Sequence, residues 1–233
     1  MGQKDGFLKF ERELPKYKPA DERIKDYKEF EEIYGKLPDI SENLKDIPCI
    51  IITGPPGCGK GTQSKIIAKT MRWKHISTGD ILRQSKNPDI KKLMKSGELL
   101  PDEIAGKELI SYLKDYCKNQ EPEGLIFDGY PRNLDQKTIF DEICRVNKLK
   151  LGYVFFLNAP ADVLKRRIKE REKSSNRSDD KSDKAFSIRM EEYNDKTLPM
   201  IESMRNGSNF LEISATQKLD DISEIILKKI NEI

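Results

Sequence analysis

From residue 49 to residue 213 the chain alternates short runs of consecutive apolar residues with stretches in which apolar residues recur every three or four positions. The runs are Cys49–Thr53, His75–Ser77, Leu125–Phe127, Tyr153–Leu157 and Phe210–Ile213. Most are apolar on successive residues, as expected of parallel strands covered on both faces, rather than on alternate ones. Helical patterns separate them. The pattern therefore predicts right-handed βαβ crossovers and an α/β fold built on a parallel sheet of about five strands flanked by helices.

Residues 1–46 have a different texture, with many charges, prolines at 15, 19 and 38, and no β-branched run that reads as a buried strand. One helix is predicted there, from Ala20 to Gly35, where Ile24, Tyr27, Phe30, Ile33 and Tyr34 form a single apolar face and Gly35 and Pro38 read as the stop. The expected organisation is a charged N-terminal extension, 1–46, followed by one domain, 47–233. The apolar face has two readings: a seat on the main domain, or a surface for a partner or for self-association.

Composition narrows the classes. Of 233 residues, 36% are hydrophobic and 36% charged, but 43 basic side chains against 40 acidic ones leave a net charge of only +3. That balance argues against a protein that binds nucleic acid through a general basic surface. No apolar run reaches the ~18–20 residues that span a bilayer, and Met1–Asp5 carries no apolar signal stretch, so no membrane span is expected. Gly2 invites N-myristoylation, but Gly6 stands where Ser or Thr is required. Cys49, Cys58, Cys117 and Cys144 are far apart, without a Cys-x-x-Cys pair, so neither a zinc site nor a disulfide scaffold is expected. A reduced, cytoplasmic compartment fits this cysteine usage.

Chemistry enters directly after the first strand, with Gly54-Pro55-Pro56-Gly57-Cys58-Gly59-Lys60-Gly61-Thr62 followed by helix-forming Gln63 to Met71. Glycines allow successive backbone N–H groups to turn inward, the helix start adds its positive dipole end, and a lysine there reaches β- and γ-phosphates. A strand before and a helix after give the context that phosphate binding needs. Gly61 intervenes between Lys60 and Thr62 where the general motif has Ser or Thr directly after the lysine. Gly-x-Pro-Gly-x-Gly-Lys-Gly-Thr is the form that resembles nucleoside monophosphate kinases.

Two further segments place an arginine just beyond a strand end, where ligands bind in open α/β sheets: Ser77-Thr78-Gly79-Asp80-Ile81-Leu82-Arg83, and Phe127-Asp128-Gly129-Tyr130-Pro131-Arg132. A third cluster, Arg167, Arg171, Arg177, Asp179, Asp180 and Arg189, follows the fourth strand. In order and near-family spacing these segments resemble the adenylate kinase family over residues ~49–233.

The resemblance implies a P-loop kinase with an acceptor-binding arm at 78–107 and a short lid at 172–184, acting on ATP and AMP with Mg²⁺ and forming two ADP. It implies that Gly57, Cys58, Gly59, Lys60, Gly61 and Thr62 hold the phosphates of ATP, that Arg167 stacks on its base, and that Arg171, Arg177 and Arg189 close on the phosphates. Arg83 and Arg132 match the arginines on the acceptor monophosphate. Thr78, Leu100, Gly129 and Gln136 match residues around AMP, Gln136 being the glutamine that hydrogen-bonds adenine. Asp179 and Asp180 match the pair that orients the closing arginines, and Asp128 the carboxylate that holds Mg²⁺ through water. Lys60, Arg132, Arg171, Arg177 and Arg189 form the expected catalytic set. A monomer is expected.

Alternatives remain at this level: GTP as donor, UMP or CMP as acceptor, or a low-turnover nucleotide-binding scaffold. Thr78-Gly79-Asp80 and Gln136 favour AMP, since pyrimidine-monophosphate relatives read Ala-Gly-Glu and Asn there. His75, the only histidine, is read as structural, because phosphoryl transfer to a charged acceptor needs no general base. Cys58 is read as a small loop filler in preference to a redox switch, and Trp73 as packing at the end of the first helix.

Overall fold

The computed structural model describes residues 46–96, 102–117, 120–174 and 183–233. The predicted helix Ala20–Gly35 lies outside the described residues. The five apolar runs all form strands: β1 (Pro48–Thr53), β2 (Lys74–Ser77), β3 (Leu125–Asp128), β4 (Lys150–Asn158) and β5 (Phe210–Ser214). They make one parallel sheet in the order β2-β3-β1-β4-β5.

β1 occupies the centre, paired to β3 through Cys49↔Leu125 and to β4 through Ile50↔Tyr153. Its residues from Cys49 to Ile52 are all 0% exposed. Alternation of side chains along a strand explains why no polar residue interrupts it. Cys49 and Ile51 face a core shared with α4 (Asp102–Cys117) and α5 (Leu134–Val146), while Ile50 and Ile52 face one shared with α1 (Lys60–Met71), α6 (Ala161–Ser174) and α9 (Leu219–Ile230). Trp73 packs in the second of these cores, just past the end of α1.

Four smaller helices complete the described chain. α2 (Thr78–Gln84) starts directly at the end of β2, where the Ser77 hydroxyl accepts the Asp80 amide at 3.3 Å, and α3 (Pro88–Ser96) follows. Leu82 and Ile90 form a satellite cluster with Ile104 of α4. After α7 (Asp183–Glu192) the helix widens into a π turn at Tyr193–Thr197 before α8 (Leu198–Met204). Pro199 supplies the reason, since it cannot donate to the carbonyl of Asp195 and its ring crowds that position, so a wider turn relieves the clash.

α1 begins three residues before the expected Gln63. The cause is Gly59, whose left-handed backbone (φ 99°) ends the loop and lets Lys60 and Gly61 join the first helical turn. No helix among the described residues is long and apolar enough to cross a membrane.

Truncation at the centre of the sheet should be costly. Ile51→Ala is expected to lower stability by about 2–5 kcal/mol, seen as a lower urea midpoint with an unchanged slope.

Candidate functional site

All five strands point their C-terminal ends at one rim. The chain leaves β1 toward β2 and leaves β4 toward β5, so the loops after these adjacent strands diverge and open a crevice of the kind that binds ligands in doubly wound sheets. The segment Gly54–Gly59 fills the base of that crevice. Gly54 (φ 142°) passes so close to β4 that any side chain would collide with the Leu157 carbonyl. At Gly57 (φ 87°) an added methyl would lie 2.8 Å from the carbonyl of Leu164 on α6. Glycine is therefore demanded by conformation and by space at both positions.

Lys60 leaves the first turn of α1 and folds back over the loop, its Nζ donating to the Gly54 carbonyl at 2.6 Å and the Pro55 carbonyl at 2.9 Å. Cys58 Sγ lies 3.6 Å from the same nitrogen and is buried, as befits a loop filler. The Cys144 thiol is pushed up strongly, first by its hydrogen bond with Cys49 and then by burial, and burial also pushes up Cys117. Thr62 is exposed at the same helix start.

β3 delivers the second group. A methyl on Gly129 would sit 3.5 Å from Arg132 Nη2 and 3.8 Å from Lys60 Cε, so the lysine of the loop and the arginine after β3 flank one point. Arg132 Nε donates to the Gly129 carbonyl at 2.8 Å, and the buried Thr78 hydroxyl donates to the same carbonyl at 3.3 Å. Asp128 lies beside the helix start, its Oδ2 3.3 Å from where a methyl on Gly61 would be. The same oxygen is 3.0 Å from His75 Nε2. His75 thus touches the strand-end carboxylate, a contact that depends on β2 and β3 being neighbours and so is invisible in a sequence read strand by strand.

Other predicted residues are carried on α2, α5, α6 and α7. Arg83 Nη2 pairs with Asp80 Oδ1 at 2.5 Å on α2. Gln136 is buried on the first turn of α5, with its amide oxygen accepting the Arg132 N–H at 2.9 Å and its amide nitrogen donating to Asp102 Oδ1 at 2.9 Å. Arg167 on α6 donates from Nη2 to the Ala215 carbonyl at 2.8 Å, which fixes it against the loop after β5. Arg171, one turn further along α6, and Arg189 on α7 are half-buried. Leu100, Arg177, Asp179 and Asp180 lie outside the described residues.

Sequence reasoning missed three groups. Asp102 and Asn133 surround Gln136, and the pattern Asn133-x-x-Gln136 is a recognisable variant of a helix capping box. The third is Gln63, which is buried and ties the phosphate-loop helix to α9 by donating to the Leu219 carbonyl at 2.9 Å and accepting the Ser223 hydroxyl at 2.8 Å. Nothing in the sequence short of the fold itself joins those positions.

Comparison with known proteins agrees with this geometry. The family model described as adenylate kinase matches residues 52–208. The chain belongs to the adenylate kinase family. It is 36% identical over 185 residues to an adenylate kinase of Xylella fastidiosa strain 9a5c, covering 76% of this chain and 96% of that protein. It is 35% identical over 188 residues to the adenylate kinase of Leptospira biflexa, covering 78% and 98%, and 33% identical over 181 residues to that of Flavobacterium johnsoniae, covering 75% and 94%. Membership of the adenylate kinase family makes this chain a nucleoside monophosphate kinase.

Gly57→Ala should separate the loop from the rest of the site. It forces a side chain into the left-handed region against the Leu164 carbonyl, so a loss of about 1–3 kcal/mol in stability is expected. Calorimetry should also show ATP affinity falling at least tenfold at temperatures where the variant is folded.

Proposed function

We propose that this chain transfers the γ-phosphoryl group of Mg·ATP reversibly to AMP, giving two ADP. The observation that carries the reading is the meeting of Lys60 and Arg132 at Gly129, beside a loop whose Gly54 and Gly57 leave no room for a side chain. The backbone of Gly57–Thr62 cradles the donor phosphates, Lys60 leaves its loop carbonyls for the β- and γ-oxygens, and Arg132 with Arg83 holds the acceptor phosphate. Arg167 stacks on the donor base. Thr78, Leu100, Gly129 and Gln136 surround AMP. Arg171, Arg177 and Arg189 close on the phosphates, with Asp179 and Asp180 orienting them.

The acceptor phosphate is already charged and nucleophilic, so no covalent protein intermediate and no general base are required. What the reaction needs is alignment of two nucleotides, neutralisation of the charge spread over the moving group, and exclusion of water as a competing acceptor. Guanidinium groups suit this because their planar donors match phosphate oxygens in pairs. Residues 78–107 act as the acceptor arm and 172–184 as the lid that excludes water.

The donor set fits magnesium. Asp128 and the Thr62 hydroxyl offer hard oxygens at the phosphate loop, the ligand type that magnesium prefers. Asp128 would hold it through water. When bound, the ion neutralises charge on the β- and γ-phosphate oxygens. The protein works as a monomer in a reduced, cytoplasmic compartment, and residues 1–46 are the segment open to a partner.

A coupled assay on the full chain tests the proposal, with ADP formation from ATP and AMP expected and none from either nucleotide alone. Absence of ADP with an active control enzyme would sink it. Lys60→Met should abolish turnover, and Arg132→Ala should lower kcat by about 10²–10³. Chelation of divalent cations should stop the reaction, and added Mg²⁺ should restore it.

A further inference from the structure

We infer that Asp102 is a specificity-determining residue for the acceptor base, because it locks the orientation of the Gln136 side-chain amide. The inference rests on the proposal that Gln136 meets adenine, and adds what makes that meeting selective.

The hydrogen bonds allow one orientation only. A backbone N–H is purely a donor and an ionised carboxylate purely an acceptor. Gln136 lies between one of each, with Oε1 on the Arg132 N–H at 2.9 Å and Nε2 on Asp102 Oδ1 at 2.9 Å. Rotating the amide by half a turn would set oxygen against carboxylate and NH₂ against N–H, losing two hydrogen bonds and creating two repulsions in a buried site. Asn133 strengthens the lock, since its Nδ2 donates to the same Asp102 oxygen at 2.7 Å while its Oδ1 caps the Gln136 backbone amide at 2.8 Å. Asp102 opens α4, which is anchored in the main core by Leu109 and Leu113, so the carboxylate is carried on a fixed element.

One N–H and one lone pair of the Gln136 amide remain for a ligand. On adenine they meet N1, an acceptor, and the N6 amino group, a donor. A 6-oxopurine reverses both, with O6 accepting and N1–H donating. A free amide would flip and bind either base. A locked one binds adenine and opposes the 6-oxopurine with donor against donor and acceptor against acceptor. Arg132, which the proposed reaction places on the acceptor phosphate, contributes the other half of the lock through its backbone, so base selection and phosphate binding share one residue.

The test compares AMP with IMP, which differs from it at these two atoms alone, using ATP as donor. The unsubstituted protein should prefer AMP by about 10³ or more in kcat/KM. It should also use purine ribonucleoside monophosphate, which keeps N1 as an acceptor and has no 6-substituent, better than IMP. Asp102→Ala and Asp102→Ser should each shrink the AMP/IMP ratio by ~10-fold or more, through a higher KM for AMP and a lower one for IMP. Asp102→Asn, whose amide oxygen still accepts from Gln136, should stay within about threefold of the unsubstituted ratio. Ratios within twofold of the unsubstituted value in Asp102→Ala and Asp102→Ser overturn the inference, as does IMP equal to purine ribonucleoside monophosphate in the unsubstituted protein. Gln136→Ala separates the two levels: if it changes the ratio and the Asp102 variants do not, the lock alone fails, and if it leaves the ratio unchanged, the adenine assignment fails with it.

Discussion

The close approach of Gly54 to the Leu157 carbonyl sets the geometry on which the rest of the site depends. β1 runs buried through the middle of the sheet and emerges beside β4 with no space for a side chain between the two backbones. The loop must therefore turn in a left-handed conformation, and that turn starts α1 early, at Lys60. Lys60 is thereby brought over Gly129, and Asp128 beside Gly61. Phosphate-binding geometry here follows from strand packing, and the polar residues inherit their positions from it.

Charge follows the same logic. A total of 43 basic and 40 acidic residues argues only against a general basic surface, yet the fold gathers Lys60, Arg83, Arg132 and Arg167 around one rim of the sheet. Each of these cations has an oxygen partner within the chain. Lys60 rests on loop carbonyls, Arg83 on Asp80, Arg132 on the Gly129 carbonyl and Arg167 on the Ala215 carbonyl. Each partner is an oxygen acceptor within the chain, so all four cations are held in place by charge-assisted hydrogen bonds.

The sheet was legible in the sequence because burial on both faces leaves unbroken apolar runs, and even the short β2 was marked by its spacing between helical stretches. Glycine-loop chemistry was legible for a related reason: positions that need φ > 0 or zero side-chain volume leave a fixed residue pattern. What stayed hidden were contacts between elements distant along the chain. The Asp102–Gln136 bond spans 34 residues, His75–Asp128 spans 53, and Gln63–Leu219 spans 156. None has a local signature, because each depends on which helices and strands end up side by side. α1 starts three residues before residue preference predicts for a different reason: Gly61 is a poor helix former, and the loop geometry overrides that preference.

The bond from Gln63 to α9 bears on how the protein is made. Gln63 sits one turn from the phosphate loop, while Leu219 and Ser223 follow it by 156 and 160 residues. Domains emerge from the ribosome N-terminus first. A nascent chain can therefore have all of its glycine loop outside the ribosome, and most of its sheet, while the helix that braces that loop is still unmade. The brace on the loop is thus a late event in the order of synthesis, set by the 156 residues between Gln63 and Leu219.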